Sequence, residues 1–572
     1  MSRLSMSPRS WHFQWIAGAL LLGWGMAHTA MGAAVEPKKG KLPPAPNYNI
    51  KTVELINEQI RAGWDGNGLT PSTTASDGEY CRRLFLDLLG RVPTITELNA
   101  YINDRETDKK ARLVSKLLGD DFVEEYADNW TTLWTNILIG RTGGTERRSP
   151  INRSGMQQSL RRAFQRNTSY DKFVYEIVSA KGVTKPGDKN FNGFVNFLIG
   201  ALEENGIEAT ARTSQIFLGV QVRCTQCHNH PFNEWKQNQF WEMNAFFRQT
   251  KAIREMGMNR EVESAQLFNQ DFAGEDNRPE QAALFYELRN GLTKVAYPVF
   301  VDGTKPKSDS GYLDEVDRRT ELAKMIIKSD SLGKALVNRY WAHFMGYGFT
   351  KPIDDMGPHN PPTHPALLEA LGTEFKMRSY DLKELIRWIV LSEPYSLSSK
   401  YSVNNKKDDP SLGEKPSFSH FYLRQMRAEE LYESLVVCTE AQKTRGSYEQ
   451  QEEAKRGWLR QFNIAFGTDD NDETTTFNGT IPQVLMMMNG ELVNKATSNE
   501  KGSFLERVAN DGKLKASDKI DYLYMAALGR KPSSSELSEA NKAAAYRKGD
   551  IVGALQDVWW VLLNSNEFIL NH

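Results

Sequence analysis

Apolar side chains recur at spacings of three and four residues along most of this 572-residue chain. The pattern is clear in three groups: Leu55, Ile56 and Ile60; Leu84 and Leu88; and Leu113, Leu117 and Leu118. Such spacing places apolar side chains on one face of a helix, whereas the alternating pattern of strands is scarce. Residues 297–301 are the best short strand candidate. The sequence therefore predicts a mainly α fold, with two helical domains and an irregular connector containing little β structure.

Changes in composition divide the chain into five parts. A polar stretch with Asp, Asn, Gly and Lys-Pro interrupts the helical pattern after residue 250. The predicted parts are a signal peptide (1–34), a flexible linker (35–50), an N-terminal helical domain (51–250), an irregular connector (251–316) and a C-terminal helical domain (317–572).

Residues 1–34 have the features of a secretory signal peptide. Arg3 and Arg9 precede a twelve-residue apolar run from Trp15 to Met26, and small residues follow up to Ala34. A membrane-spanning helix needs about twenty apolar residues, so this run is short for an anchor. We predict that the leader is cleaved and that the mature chain is exported, to the periplasm or the medium, without a membrane span.

The charge balance and the missing motifs exclude several classes of protein. Lys plus Arg number 71 and Asp plus Glu 72, whereas nucleic-acid binders usually carry a basic excess. The sequence contains no Gly-x-Ser-x-Gly, phosphate-binding glycine-rich loop or His-Glu-x-x-His, so no enzyme class is favoured and no catalytic residue is predicted. Its 13 Trp and 20 Tyr are compatible with a protein or carbohydrate partner.

One segment of the chain is repeated. Residues 84–98 align without gaps on residues 523–537, and seven of the fifteen positions are identical. In each copy a glycine can end a helix, a proline follows, and Thr94-x-x-Glu97 or Ser533-x-x-Glu536 can form a capping box for the next helix. We predict a helical hairpin used twice for packing. The alternative is a binding role for Arg91 and Arg530.

Cys224, Cys227 and His228 form a Cys-x-x-Cys-His motif, the attachment pattern of c-type haem. In that chemistry both thiols form thioethers to the haem, and the adjacent His is the proximal iron ligand. Export fits this interpretation, because bacteria attach haem outside the cytoplasm. Six aromatic side chains near the motif could wall a porphyrin: Phe232, Trp235, Phe240, Trp241, Phe246 and Phe247.

Two other interpretations of the motif stay open. Cys224 and Cys227 could form a disulfide, since an exported chain meets an oxidising compartment. Alternatively the two thiols, His228 and His230 could hold a structural zinc ion, although such sites usually draw on two separated pairs. His359 and His364 could form a second metal pair, but a helix that begins near Pro365, with Pro at its first position, is the simpler explanation of that segment.

A sixth iron ligand cannot be chosen from the sequence, and two cysteines have no assignable role. Cys81 and Cys438 are too far apart in the sequence for a bridge to be inferred. The candidates for the iron ligand are Met243, Met256, Met258, His343, His359 and His364.

The chain resembles a pair of families abundant in secreted proteins of planctomycetes. The first, the cytochrome-c-like domain of unknown function 1549, is matched over about residues 53–250, chiefly by the segments 83–93 and 219–235. The second, domain of unknown function 1553, is matched from about residue 317, chiefly by segments 318–323, 337–341, 361–365, 481–485 and 563–568. The resemblance implies export and a Cys-x-x-Cys-His motif within a helical domain, but no reaction.

Together these observations predict an exported, mainly α protein that binds one c-type haem and supports electron transfer to a partner. The rival hypothesis is a non-redox binding or scaffold protein, whose motif holds a disulfide or zinc.

Overall fold

The computed structural model describes residues 44–466 and 480–572. The predicted signal peptide and the first part of the predicted linker lie outside the described residues. Across these two ranges, no helix combines the length and apolarity needed to cross a membrane.

Helices make up most of the chain from residue 51 to residue 244, which confirms the mainly α class. Three of them, α2, α3 and α6, begin at an N-cap residue whose side chain accepts a backbone hydrogen bond: Ser76, Thr94 and Asn152. The helices are α1 (Lys51–Asn67), α2 (Asp77–Leu89), α3 (Ile95–Ile102), α4 (Lys109–Leu117), α5 (Val123–Ile139), α6 (Arg153–Gln165), α7 (Tyr170–Val178), α8 (Asn196–Ile199), α9 (Glu203–Thr213) and α10 (Gln237–Asn244).

The segment predicted as an irregular connector contains most of the strands. Strand β1 (Gly182–Val183) pairs with β3 (Val262–Asn269), which pairs with β2 (Thr250–Met256); all pairs are antiparallel. A hairpin of β4 (Leu284–Glu287) and β5 (Thr293–Ala296) follows. The strand predicted at residues 297–301 is wrong, because β5 ends just before it. Six of the seven residues of β2 are exposed, so it lacks the apolar alternation that reveals a strand.

Helices resume at residue 318. They are α11 (Arg318–Lys328), α12 (Asp330–Met345), α13 (Pro365–Met377), α14 (Leu382–Val390), α15 (Ala428–Thr439), α16 (Tyr448–Phe466), α17 (Ile481–Asn489), α18 (Glu491–Ala496), α19 (Phe504–Asn510), α20 (Ala516–Leu528), α21 (Ser534–Tyr546), α22 (Ile551–Leu563) and α23 (Asn566–Ile569). A last antiparallel pair joins β6 (Arg424–Gln425) to β7 (Leu570–Asn571).

Buried apolar side chains form two clusters. The first runs from Val53 to Tyr422 and so combines side chains from both predicted helical domains. The second runs from Met426 to Ile569 and also includes Leu86 and Val92. The domain bounds given above stay a prediction, since the clusters group the chain differently. Helix α2 contributes to both clusters and is buried almost all round.

The repeated segment is a helical hairpin in both copies, as predicted. Helices α2 and α20 end at Gly90 and Gly529, whose positive φ values of 73° and 71° suit glycine. Helices α3 and α21 then begin with the predicted capping boxes.

Candidate functional site

The Cys224–His228 motif lies on a tight turn between two helical segments. A π-helical turn at Ser214–Leu218 ends at Gly219, and a short 3₁₀ turn follows at Arg223–Gln226. π-helical turns are rare and occur frequently at functional sites.

Two side chains of α10 fix the motif at Gln226. The amide of Gln237 and the indole of Trp241 donate to the carbonyl oxygen of Gln226, at 3.2 and 3.0 Å. Between the cysteines, Thr225 is buried, and its hydroxyl donates to the carbonyl of Val222 at 2.6 Å. The turn is therefore held by hydrogen bonds that do not involve the thiols.

Both thiols of the motif are exposed and free. Cys224 and Cys227 flank the inward-pointing Thr225, so the middle of the turn is anchored while its reactive groups remain accessible. The Cys224–Cys227 disulfide of the alternative interpretation is not formed in this structure.

One ring nitrogen of His228 is hydrogen-bonded, and the other has a free lone pair. Its Nδ1 atom lies 2.7 Å from the carbonyl oxygen of Asn229. Because a carbonyl can only accept, Nδ1 carries the proton, and a lone pair is left on Nε2. Metal-bound histidines usually donate their second ring N–H in this way. The arrangement suits an iron ligand.

His230 has the opposite arrangement. Its Nδ1 accepts hydrogen bonds from the backbone amides of Phe232 and Asn233, at 3.2 and 3.1 Å. The proton of a neutral ring is then on Nε2, so neither nitrogen offers a free lone pair. Within residues 44–466 and 480–572, no three His, Cys, Asp or Glu side chains are placed to hold a metal ion together. This geometry gives the zinc interpretation no support.

A loop from the C-terminal half packs against the segment that precedes the motif. The backbone amide of Met356 donates to the carbonyl of Gly219 at 2.7 Å. The side-chain amides of Gln215 and Gln221 donate to the carboxylate of Asp354, at 2.7 and 2.9 Å. These three hydrogen bonds fix residues 354–356 beside the turn that carries the cysteines.

The same loop places a histidine beside His230, two residues beyond the motif. The ring centroids of His359 and His230 are 6.1 Å apart. Nε2 of His359 lies 3.0 Å from a carboxylate oxygen of Asp355. Burial lowers the pKa of His230, and the neighbouring His359 acts in the same direction, while Asp355 opposes both. The neutral form of the His230 ring is therefore favoured.

Two protein-family models match the chain, one on each side of the site. Residues 55–252 match PSCyt2, a protein family of unknown function (DUF1549), and residues 318–544 match PSD1, a protein family of unknown function (DUF1553). The chain is a DUF1549–DUF1553 protein. No curated protein and no solved structure matches it. The motif lies in the DUF1549 region, and His359 lies in the DUF1553 region.

The other predicted iron ligands of this DUF1549–DUF1553 protein are placed elsewhere. Met243 is part of the first buried cluster, and Met256 and Met258 are exposed. His343 is half-buried and packs against Trp130, and desolvation lowers its pKa to about 3. His364 packs against Phe349 and Phe418, and burial lowers its pKa to about 4. Of the six candidates, all of them described, His359 is the one with a ring contact to His230, two residues beyond the motif.

The six aromatic side chains predicted to wall a porphyrin separate into two groups. Phe240, Phe246 and Phe247 are buried, which favours helix packing over a porphyrin wall for these three. Trp235 and Trp241 are half-buried, and Phe232 is 82% exposed. Trp241 already stacks on Tyr286, so Phe232 is the most accessible of these three rings.

Cys81 and Cys438 are buried, free thiols. Burial strongly raises the pKa of both thiols, which keeps them protonated and unreactive. Neither contributes to the site.

Arg91 and Arg530 have matching structural roles in the two hairpins. Each guanidinium binds the capping-box glutamate of its own copy, Glu97 or Glu536. Each also binds a second glutamate, Glu125 or Glu567, at 2.5 Å. Because these arginines are paired within the fold, the packing interpretation is favoured over a binding role.

Sequence reasoning missed Asp355. The only sequence feature that points to Asp355 is its position four residues before His359, a candidate iron ligand. Gln215, Gln221 and Asp354, which dock the loop, have no sequence signal at all, because their partnership is formed by tertiary packing.

Proposed function

We propose that the Cys224–His228 turn carries one covalently attached c-type haem, and that the exported protein uses it for electron transfer with a partner. The observation that carries this proposal is the state of His228. Its Nδ1 is tied to the carbonyl of Asn229, and its free Nε2 lies on the same turn as two exposed, free thiols.

The donor set fits c-type attachment. Each thiol can add its S–H bond across a haem vinyl group, which forms a thioether without a leaving group. The Nε2 atom of His228 would be the proximal ligand of the iron. When bound, such a haem supplies one-electron transfer. The protein contributes the fixed turn, the ring orientation of His228, and the half-buried Trp235 and Trp241 next to the motif.

Export and an electron-transfer partner are both part of the proposed function. Haem attachment outside the cytoplasm requires the leader, so the predicted signal peptide is a condition of the site. Cleavage of the leader would remove Arg3 and Arg9, which leaves a net charge of −3 (69 − 72). So small a net charge gives no strong long-range steering, and recognition of the partner would depend on local contacts.

The test is a spectrum of the protein expressed with its leader in a bacterial host that matures c-type cytochromes. We expect a Soret band and a reduced-minus-oxidised difference spectrum of a c-type haem. The double variant Cys224→Ser/Cys227→Ser should lose covalent haem. Arg223→Ala removes an exposed side chain beside Cys224 and should retain it.

Three results would decide against this function. A purified wild-type protein without a Soret band excludes haem. Loss of two hydrogens from the chain, reversed by reductant, would indicate the disulfide. Stoichiometric zinc that is lost in the cysteine variant would indicate a structural zinc site.

A further inference from the structure

A cavity of about 410 Å³ lies between helices α6 and α7, and no residue of the cysteine motif lines it. Sites for small molecules usually measure about 300–1,000 Å³. The end of α6 contributes Arg162 and Arg166, α7 contributes Glu176, and the segment before α8 contributes Phe191 and Phe194. We call this space the α6–α7 cavity. It combines a few charged groups with aromatic rings, as ligand sites do.

One wall of the α6–α7 cavity is fixed to α6 by close backbone contact. The backbone amide of Gly193 donates to the hydroxyl of Ser159 at 3.1 Å. A Cβ atom at Gly193 would stand 2.0 Å from the carbonyl oxygen of Gly155, so a side chain has no room there. The side-chain amide of Asn192 donates to the carbonyl of Lys181 at 3.0 Å. The wall is therefore formed before any ligand binds.

Two guanidinium groups of the α6–α7 cavity lack a protein partner. The side chains of Arg162 and Arg166 are exposed, and neither forms an ion pair or a side-chain hydrogen bond with any described residue. Positive charge is stabilised at the end of a helix, so both arginines are tolerated without a carboxylate. Lys181 differs, because its ammonium group binds Asp317 at 2.6 Å. Two guanidinium groups are thus left to bind an anion.

The lining also offers groups that can bind hydroxyls. Desolvation raises the pKa of Glu176 and Lys172 opposes this shift, whereas neither arginine of the cavity contributes to it. The carboxyl group is therefore separated from the two guanidinium groups. The hydroxyl of Thr168, which also lines the cavity, has no partner in the part of the chain that the structure describes. A carboxylate accepts hydrogen bonds, and a hydroxyl both donates and accepts them.

We infer that the α6–α7 cavity binds an acidic sugar, with its oxyanion on Arg162 and Arg166 and its hydroxyl groups toward Glu176 and Thr168. The planar fork of a guanidinium matches the oxygens of a carboxylate or a phosphate. A sugar ring also has an apolar face, which suits packing against Phe191. This site shares no residue with the Cys224–His228 turn, so the inference does not depend on the proposed function.

The experiment is a calorimetric titration of the purified, full-length mature protein with three sugars. Glucose, glucuronate and glucose 6-phosphate share one ring and carry a neutral, a carboxylate or a phosphate group at the same position. We expect one or both of the acidic sugars to bind at millimolar concentrations or below, and glucose not to bind. The sugar that binds more tightly identifies the oxyanion. Added salt should weaken the binding, because the arginines are exposed.

Variants of the two arginines locate the binding. Arg162→Ala and Arg166→Ala should each weaken it about tenfold, because each removes a charge-assisted hydrogen bond. Arg162→Lys keeps the charge without the fork and should weaken it less. Arg105→Ala is the matched control, since Arg105 is exposed and lies outside the cavity lining, and it should bind as the wild type does. Thermal unfolding shows whether each variant is folded.

Three results would overturn the inference. The first is a wild-type protein that binds neither acidic sugar at millimolar concentrations. The second is an affinity that is unchanged in both alanine variants, or that falls as much in Arg105→Ala. The third is inorganic phosphate that binds as tightly as the acidic sugars, because the hydroxyl groups would then contribute nothing. None of these results affects haem attachment, which is measured by the spectrum.

Discussion

Gly78 and Gly529 meet where the two copies of the repeated hairpin pack against each other. Gly78 lies in the first turn of α2, and a Cβ atom there would stand 2.0 Å from the carbonyl oxygen of Gly529. The obstacle is backbone, which cannot move aside as a flexible side chain can. The two copies are thus in contact as well as similar in sequence.

Gly78→Ala should therefore lower the free energy of unfolding by about 3 kcal/mol, since the hairpins must separate to admit the methyl group. Gly66→Ala in α1 is the matched control, because no atom lies within 4 Å of a Cβ there. It should be neutral or stabilise by up to about 1 kcal/mol. Chemical denaturation measures both values. Equal effects of the two substitutions would contradict the close contact.

The paired arginines give a second prediction. The side chain of Arg91 is 10% exposed and that of Arg530 is 35% exposed. Removing a buried partner leaves its carboxylates unpaired, whereas solvent screens an exposed one. Arg91→Ala should cost about 2 kcal/mol and Arg530→Ala about 1 kcal/mol. A larger loss for Arg530→Ala, measured by denaturation in the same buffer, would refute this ordering.

Stability should depend on pH through His343. Burial lowers the pKa of His343 from its ordinary 6.5 to about 3, so between these values the unfolded chain binds a proton that the folded chain does not. The free energy of unfolding then falls as pH decreases from about 6.5 to 3, by about 1.4 kcal/mol per pH unit for this residue.

His343→Gln tests the dependence on pH. Glutamine can still donate to the carbonyl of Asp87, which lies 3.2 Å from Nε2 of His343. The variant should lose stability less steeply over the same pH window. Parallel curves for the wild type and the variant would show that His343 does not titrate as described.

The hairpin could be predicted in detail because its determinants are local. The glycine that ends each first helix, the proline and the capping box all lie within fifteen residues. The second glutamate bound by each arginine could not be predicted, because Glu125 and Glu567 depend on how later helices pack. Local sequence signals therefore predicted the backbone of the hairpin, whereas the second glutamate bound by each arginine was determined by tertiary packing.

The site was predictable only in part, for the same reason. The motif itself is contiguous, so Cys224, Cys227 and His228 could be named from the sequence. His359 was one of six candidates, and its position depends on the hydrogen bond between Met356 and Gly219. The role of the aromatic residues could not be predicted, because the same kinds of side chain line a cofactor pocket and a protein core. Phe246 and Phe247 belong to the core.

The intact mass of the denatured, purified protein tests covalent haem attachment most directly. Both thioethers survive unfolding, so the wild-type chain should carry the mass of one haem beyond that of the polypeptide cleaved at the leader. The Cys224→Ser/Cys227→Ser variant should have the mass of its polypeptide alone. A wild-type mass equal to that of the bare polypeptide would contradict haem attachment at Cys224 and Cys227.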